Sequence, residues 1–334
     1  MFVNDFKTST HIIPIATLVG GVLELLWMMY FLFRNGYKLS FFKFDVSQKM
    51  ISIIKNIIPM IIASGVTHIN TWVSMLLLSF FPGGLSYMYY ADRIIQLPLA
   101  LIGTTIGAVL LPKLAKKLEL TDQNKTYNLA NHAINLVMMF TIPAAMGIFF
   151  LAKRIIYSLF ERVEFTALST INTSNILQIL ILTLPAFVLI KLFQTNFYAK
   201  MNIKIPVLIS ITCILINILV SILLIKKLQY FGIAIANVIA SWSNIVILII
   251  YAHKFLKFKL QRFTLIELVK YVVASVMMII SFFIFENIVV NVRNNFLLLH
   301  FEILIGLVNY FIVCYLLKVE ILKQLIGMVK KSLK

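Results

Sequence analysis

A carboxylate and a guanidinium stand side by side in an otherwise apolar stretch of this chain. The run from Tyr89 to Leu99, YYADRIIQLPL, places Asp92 and Arg93 near the start of a segment long enough to span a membrane. A charge there costs about 2.5–3.5 kcal/mol on insertion scales, so it usually faces a protein interior or a watery cavity. A guanidinium stays charged and donates two parallel hydrogen bonds, which suits phosphate. Arg93 is therefore either a cavity cation for an anionic ligand or half of a structural ion pair.

Two other ionisable side chains lie deep in apolar segments. Lys191 sits in the later half of the fifth apolar segment, and Glu24 lies near the middle of the first. Lys191 is either a second cavity cation or a structural partner of Glu24 or Asp92. A lysine near a segment end reaches the interface with its amine, which is our interpretation of Lys55 and Lys270.

The chain lacks the residue patterns of common enzyme and metal sites. Its five histidines are scattered, without an HExxH pair or a cysteine partner, and there is no GxxxxGK phosphate loop. Cys213 and Cys314 lie far apart within apolar segments, which favours packing over a disulfide or a metal site. We therefore predict a protein that is not an enzyme and that needs no cofactor or metal.

Composition places the chain among polytopic membrane proteins. Of its 334 residues, 61% are hydrophobic and 13% are charged, whereas soluble domains are roughly 45–50% apolar. The net charge is +18. Basic residues lie between the apolar segments rather than in one stripe, a distribution that anchors a membrane protein and excludes nucleic acid as the partner.

The hydropathy pattern predicts an all-α protein with nine transmembrane segments, because each apolar stretch reaches the length of about 20 residues that a bilayer requires. Proline predicts a kink in the second and third segments, at Pro59 and Pro98. The predicted limits are 12–33, 54–80, 85–112, 130–152, 174–197, 205–225, 231–252, 265–287 and 299–318.

The distribution of lysine and arginine predicts the orientation. One set of alternate loops carries 19 of these residues and the other set carries 7. Loops rich in basic residues stay in the cytoplasm, so the N-terminus is predicted outside and the C-terminus inside. The residues before His11 form no signal peptide. An exported, unprocessed N-terminus with an odd number of spans suggests that something upstream is missing.

Several runs of the sequence resemble the MurJ (MviN) family of lipid II flippases, in the multidrug/oligosaccharidyl-lipid/polysaccharide (MOP) exporter superfamily. The run from Tyr90 to Leu99, then Gly103, then the run from Leu110 to Leu114 resemble the family signature. Val163 departs from the family, because it replaces a loop glycine. Further similar runs are Val19 to Leu25, Pro143 to Ala145, Leu159 to Ala167, Leu184 to Phe187, Lys191, Phe197 to Ala199, and Ile205-Pro206.

The resemblance implies an architecture of fourteen helices. Two six-helix lobes form a V around a central cavity, and helices 13 and 14 add a groove for a lipid tail. This chain resembles helices 6–14, as one half of a split gene, a fragment or a decayed product would. The implied parts are the last helix of the first lobe with a cytoplasmic linker (1–50), the second lobe (51–253), and the terminal pair with a basic tail (254–334).

The resemblance also implies an activity and a site. The family moves lipid II, the undecaprenyl-pyrophosphate-linked peptidoglycan precursor, across the bacterial inner membrane by alternating access. In this chain Arg93 would bind pyrophosphate, supported by Asp92, Gln96, Lys191 and Glu24. The implied partners are lipid II, membrane lipids and a separately encoded first lobe. The N-terminus would be periplasmic and the C-terminus cytoplasmic.

Some family members are thought to use a cation site, and other functions stay open for this chain. The positions that match the cation site are Ser74, Asn217, Ser221 and Asn237. None is a carboxylate, which favours hydrogen bonds between helices over cation binding. The alternative functions are export of another polyprenyl-linked glycan or of a drug, and a non-transporting scaffold left after loss of the first lobe.

Overall fold

A computed structural model of the chain describes residues 6–36, 48, 50–51, 65, 70–105, 123–199, 202, 204–256, 258–288 and 295–332. Every regular element within these ranges is a helix, which confirms the predicted all-α class. The chain divides into two compact units, Met1–Lys55 and Asn56–Lys334. The three-part division predicted from the sequence stays a prediction.

The first unit contains helix α1, Phe6–Arg34. Its stretch Pro14–Arg34 is long and apolar enough to cross a membrane. Trp27 and Tyr30 each pack against Phe31, edge to face. Glu24 lies within the same helix, close to its middle.

The second unit contains eight labelled helices, and residues 70–78 are also helical. The helices are α2 Gly84–Thr105, α3 Gln123–Phe160, α4 Ala167–Leu180, α5 Thr183–Ala199, α6 Lys204–Leu256, α7 Arg262–Ile288, α8 Asn295–Leu316 and α9 Glu320–Ser332. Helix α3 is longer than the predicted segment 130–152, so Lys153 and Arg154, which the sequence assigned to a loop, lie within it.

Six stretches of the described helices are long and apolar enough to cross a membrane. Helix α2 is not among them, because its tyrosines, Asp92, Arg93 and Gln96 lower its hydropathy. Much of the predicted segments 54–80 and 85–112 lies outside the described residues, including Pro59, so nine crossings stay a prediction. The six stretches are Pro14–Arg34, Ala130–Phe160, Ala167–Tyr198, Lys204–Phe255, Arg262–Asn287 and Phe296–Leu316.

Helix α6 folds back on itself as a hairpin. Gln229 breaks its helical backbone, with φ 50° and ψ −133°. The amide of Asn217 donates to Asn237 across the break at 2.8 Å. A side chain at Gly232 would lie 2.9 Å from the backbone carbon of Leu224, so glycine permits this close approach. Without the break, 52 residues would extend about 78 Å, more than twice the bilayer core of about 30 Å. The break falls between the predicted segments 205–225 and 231–252.

Helix α3 is the central helix of the second unit. It packs against α4, α5 and α2, and also against α7 and α8. Met139, Ala152 and Ile156 on α3 are completely buried. These buried side chains show that α3 lies in a core shared by α2, α4 and α5 with α7 and α8.

Polar side chains of α3 and backbone groups hold the terminal pair. Asn131 donates to the carbonyl of Lys259 at 3.0 Å, and its side-chain oxygen accepts from the Gln261 amide and the Thr264 hydroxyl. The Tyr310 hydroxyl of α8 donates to the Met139 carbonyl at 2.6 Å. These bonds fix both the entry to α7 and the middle of α8.

The loop between α3 and α4 holds Val163 in a conformation that favours glycine. Val163 has φ 44° and is 98% exposed. The loop is otherwise well bonded, because the Thr170 hydroxyl donates to Glu161 at 2.5 Å and Thr166 caps the N-terminus of α4. Left-handed backbone costs a residue with a β-carbon roughly 1–2 kcal/mol, and here no burial compensates for that cost.

Replacing Val163 with glycine is expected to stabilise the protein by about 1 kcal/mol, because the left-handed strain disappears while no packing is lost. Thermal unfolding of the purified protein in detergent measures the effect as a rise in Tm. Val163→Ala is the matched control, since alanine keeps the β-carbon and most of the strain. A Tm for Val163→Gly at or below that of the parent chain would contradict this account.

Candidate functional site

Helix α2 holds the Arg93 side chain in one geometry. One guanidinium nitrogen donates to Gln96 at 2.9 Å, and the other donates to the Tyr89 hydroxyl at 2.8 Å. The guanidinium carbon also lies 4.7 Å from the centre of the Tyr89 ring. Residues three and four positions away share a helix face, which is why these two side chains reach Arg93. Arg93 is exposed.

Asp92 is joined to the same group through Gln96. The Gln96 amide nitrogen donates to the Asp92 carboxylate in a short hydrogen bond. Asp92 and Arg93 are adjacent in sequence, and adjacent helical residues do not face each other. Among the described residues, the polar partners of Arg93 are therefore Tyr89 and Gln96. Asp92 is connected to the Arg93 guanidinium by hydrogen bonds through Gln96.

A cavity of about 470 Å³ lies beside this group. Its walls come from the 70–78 helix, α2, α4, α5 and α6. Tyr89 and Asp92 belong both to its lining and to the Arg93 group, so the group sits at the edge of the cavity. Its polar lining includes Asn70, Ser74 and Asn237.

Lys191 lies in a neighbouring cavity of about 390 Å³. Asn70, Thr71, Phe187 and Asn237 line both cavities, which makes the two spaces neighbours. A β-carbon at Gly103 would lie 2.8 Å from the Lys191 amine. Glycine in α2 therefore gives this lysine of α5 room to pass.

The structure brings together three of the four predicted cation-site positions. Ser74 and Asn237 line the 470 Å³ cavity, and Asn217 bonds to Asn237. Ser221 is 1% exposed, and its hydroxyl has no hydrogen-bond partner among the described residues. The part of the chain that the structure describes contains no cluster of three histidine, cysteine or acidic residues that could hold a metal ion.

Sequence reasoning missed part of the polar lining. The side-chain oxygens of Asn70 and Asn244 are buried and lack partners within the described ranges, and both residues line the cavity that contains Lys191. An asparagine inside an apolar segment was the available signal. The bond between Tyr89 and Arg93 had a sequence signal in their spacing of four residues, which places both on one helix face. Glu24 belongs to α1 in the other unit.

The chain is similar in fold to solved transporters of the MOP superfamily. A MOP superfamily transporter from Pyrococcus furiosus matches with a TM-score of 0.51. A multidrug resistance MATE family transporter, in an outward-facing conformation, matches with a TM-score of 0.50. Each is 14% identical, and each match covers 79% of this chain and 64% of the transporter. At that identity the likeness shows the fold alone.

The chain belongs to the MurJ family, as its sequence predicted. The family model described as "Lipid II flippase MurJ" matches residues 1–303. A solved lipid II flippase MurJ, in an inward closed conformation, matches with a TM-score of 0.68 and 27% identity, over 82% of this chain and 56% of that one.

Two curated relatives agree with this family. A probable lipid II flippase MurJ of Rickettsia prowazekii is 30% identical, over 95% of this chain and 64% of the relative. One of Rhizobium tropici is 37% identical, over 73% of this chain and 46% of the relative. The chain thus spans about half to two thirds of these relatives. Family membership and the long apolar helices indicate a multi-pass protein of the inner membrane.

The bond between Asn217 and Asn237 is expected to stabilise the α6 hairpin. A double-mutant cycle with Asn217→Ala and Asn237→Ala should give a coupling energy of about 0.6 kcal/mol, and at most about 1.7 kcal/mol, as for other interhelical hydrogen bonds in membranes. Unfolding by titration with a denaturing detergent measures it.

The matched control for this cycle pairs Asn237→Ala with Thr212→Ala. The Thr212 hydroxyl donates to the Leu208 carbonyl of its own helix turn at 3.0 Å, so its coupling to Asn237 should be close to zero. Equal coupling in the two cycles contradicts a specific bond across the hairpin.

Proposed function

We propose that this chain supplies the second lobe and the terminal helix pair of a lipid II flippase. In this proposal the complete transporter moves the undecaprenyl-pyrophosphate-linked precursor across the inner membrane by alternating access, and no covalent bond is made or broken. Family membership and the MOP fold support the class of activity. The observation that carries the proposal is the exposed Arg93 guanidinium, whose described partners all lie on its own helix.

The contacts of Arg93 favour ligand binding over a structural ion pair. An arginine that holds helices together spends its donors on a neighbouring helix, whereas Tyr89 and Gln96 both belong to α2. Their two bonds use two of the five N–H donors that a guanidinium has. The remaining donors suit two phosphate oxygens, and a side chain already fixed in position loses little conformational freedom when it binds them.

The supporting residues have distinct proposed roles. Asp92 orients the Gln96 amide, whose oxygen then accepts from Arg93. Lys191 supplies a second cation in the neighbouring cavity. Glu24 is proposed as a cavity residue from its match to the family alone. The lipid tail would lie along the terminal pair, α7 and α8.

The proposed orientation follows from charge. The 19 basic residues in one set of loops would face the cytoplasm, with 7 on the opposite side. In this arrangement Lys318 and the basic α9 helix lie in the cytoplasm, and the loop between α3 and α4 lies in the periplasm.

Arg93→Ala is expected to weaken binding of the pyrophosphate lipid by at least about tenfold, because a hydrogen bond to a charged group contributes about 1.5–3 kcal/mol. Complementation of a flippase-depleted strain by this chain paired with a first lobe should then fail. Arg93→Lys keeps the charge without the planar fork and should retain little activity.

The matched control is Arg162→Ala, which removes an exposed arginine from the loop between α3 and α4. It should complement normally. Immunoblots must show equal amounts of each variant in the membrane. Normal growth of the Arg93→Ala strain at that expression level rules out Arg93 as the pyrophosphate ligand.

The proposal extends to a partner, a separately encoded first lobe that closes the cavity. The central cavity lies between two lobes, and one lobe alone cannot enclose it. This chain alone should therefore not rescue the depleted strain. Co-expression with a first lobe taken from a MurJ relative should restore growth, and affinity purification of the tagged chain should retain that lobe. Rescue by the chain alone contradicts the need for a partner.

A further inference from the structure

A second group of charged side chains lies where α3, α7 and α8 meet, and the proposed pyrophosphate site at Arg93 does not use it. Arg154 of α3 donates to Glu286 of α7 at 2.9 Å. Its other terminal nitrogen pairs with Glu302 of α8. Lys153 is the next residue along α3 and is exposed. One arginine therefore joins three helices through two carboxylates.

Glu302 has an unused hydrogen-bonding atom. The side chain is 1% exposed, whereas that of Glu286 is 57% exposed. One carboxylate oxygen of Glu302 pairs with Arg154, and the other is buried without a hydrogen-bond partner among the described residues. A buried carboxylate oxygen in that state is costly, so the site is built to receive a donor.

The group lines a cavity of about 420 Å³. The two basic and two acidic side chains, Lys153, Arg154, Glu286 and Glu302, give the lining no net charge. The rest of the wall is largely apolar, with Phe150, Ile279, Phe282 and Phe283 among its residues. An amphiphile whose headgroup carries one positive and one negative charge matches such a wall. A simple anion would leave the acidic side chains without a partner from the ligand, and a simple cation would leave the basic ones without one.

The position of the cavity along the helices suits a lipid headgroup. Arg154 lies six residues before the end of α3, and Glu302 lies seven residues after the start of α8. At 1.5 Å per residue, these positions are about 9 and about 10.5 Å from the helix ends. With the helix ends at the membrane surface, that depth would be close to the boundary between the headgroups and the hydrocarbon core.

We propose that this cavity binds a zwitterionic phospholipid with a primary amine, of the phosphatidylethanolamine class. The ammonium donates to the free oxygen of Glu302, the phosphate contacts Lys153, and an acyl chain follows the phenylalanine wall. A primary ammonium has three N–H donors, while a choline headgroup has none. A phosphatidylglycerol headgroup has no cation at all, so the buried carboxylate selects the amine.

Native mass spectrometry of the delipidated full chain tests the proposal. The chain is incubated separately with phosphatidylethanolamine, phosphatidylcholine and phosphatidylglycerol. One phosphatidylethanolamine should be retained, at least about tenfold more tightly than either other lipid, because a charged hydrogen bond is lost with them. Glycerophosphoethanolamine, which lacks acyl chains, should bind more weakly than the lipid. Equal retention of the three lipids, or equal binding of the deacylated headgroup, overturns the proposal.

Two variants locate the site. Glu302→Gln should reduce retention of phosphatidylethanolamine to the level of phosphatidylcholine. Lys153→Gln should also reduce it, and because Lys153 is exposed and outside the buried ion pair, this variant decides the question if Glu302→Gln does not fold. Glu164→Gln changes an exposed loop carboxylate and is the matched control, with retention unchanged. Full retention in a folded Glu302→Gln variant, or in Lys153→Gln, places the lipid elsewhere and overturns the assignment.

Discussion

The structure depends on one constraint. A polar group inside a bilayer must find its hydrogen-bond partner within the protein, because the hydrocarbon region contains no water that could serve as the partner. Asn131 illustrates how completely this can be met: its oxygen accepts two bonds and its nitrogen donates a third. Arg154 meets it by joining two carboxylates from different helices. Some buried oxygens lack a hydrogen-bond partner among the described residues. Two of them belong to Asn70 and Glu302, and both residues line cavities.

Arg154 and Arg93 meet this constraint in different ways. Arg154 bonds between helices, so it contributes to holding α3, α7 and α8 together. Arg93 bonds along its own helix, and its guanidinium stays exposed. Bonds of the first kind stabilise helix packing, whereas an exposed charge held in a fixed position within an apolar helix supports the proposal of a ligand.

The sequence predicted the class of fold, because that depends on composition and local pattern. It could not assign the hydrogen bonds of Arg93, because a helix turns about 100° per residue and brings Tyr89 and Gln96, rather than the adjacent residue, to the same face. The sequence also predicts the break in α6, because segments 205–225 and 231–252 lie on either side of Gln229, and it favours hydrogen bonds between helices at Asn217 and Asn237, which the structure shows bonded to each other. The sequence ends the apolar segment at residue 152 and so places Arg154 in a loop; its partner Glu286 lies 132 positions away, beyond the reach of a local pattern.

The shared position of α3 has a mechanical consequence. A helix that packs in two interfaces cannot move relative to either set of neighbours without breaking its contacts with that set. Bonds from Asn131 and to the Met139 carbonyl reinforce the contact with the terminal pair at two levels along α3. In the proposed transporter, a movement of the helices packed on α3 would therefore carry α7 and α8 with it. The proposed path for a lipid tail would then travel with the proposed headgroup site, so an amphiphile would not be stretched between moving parts.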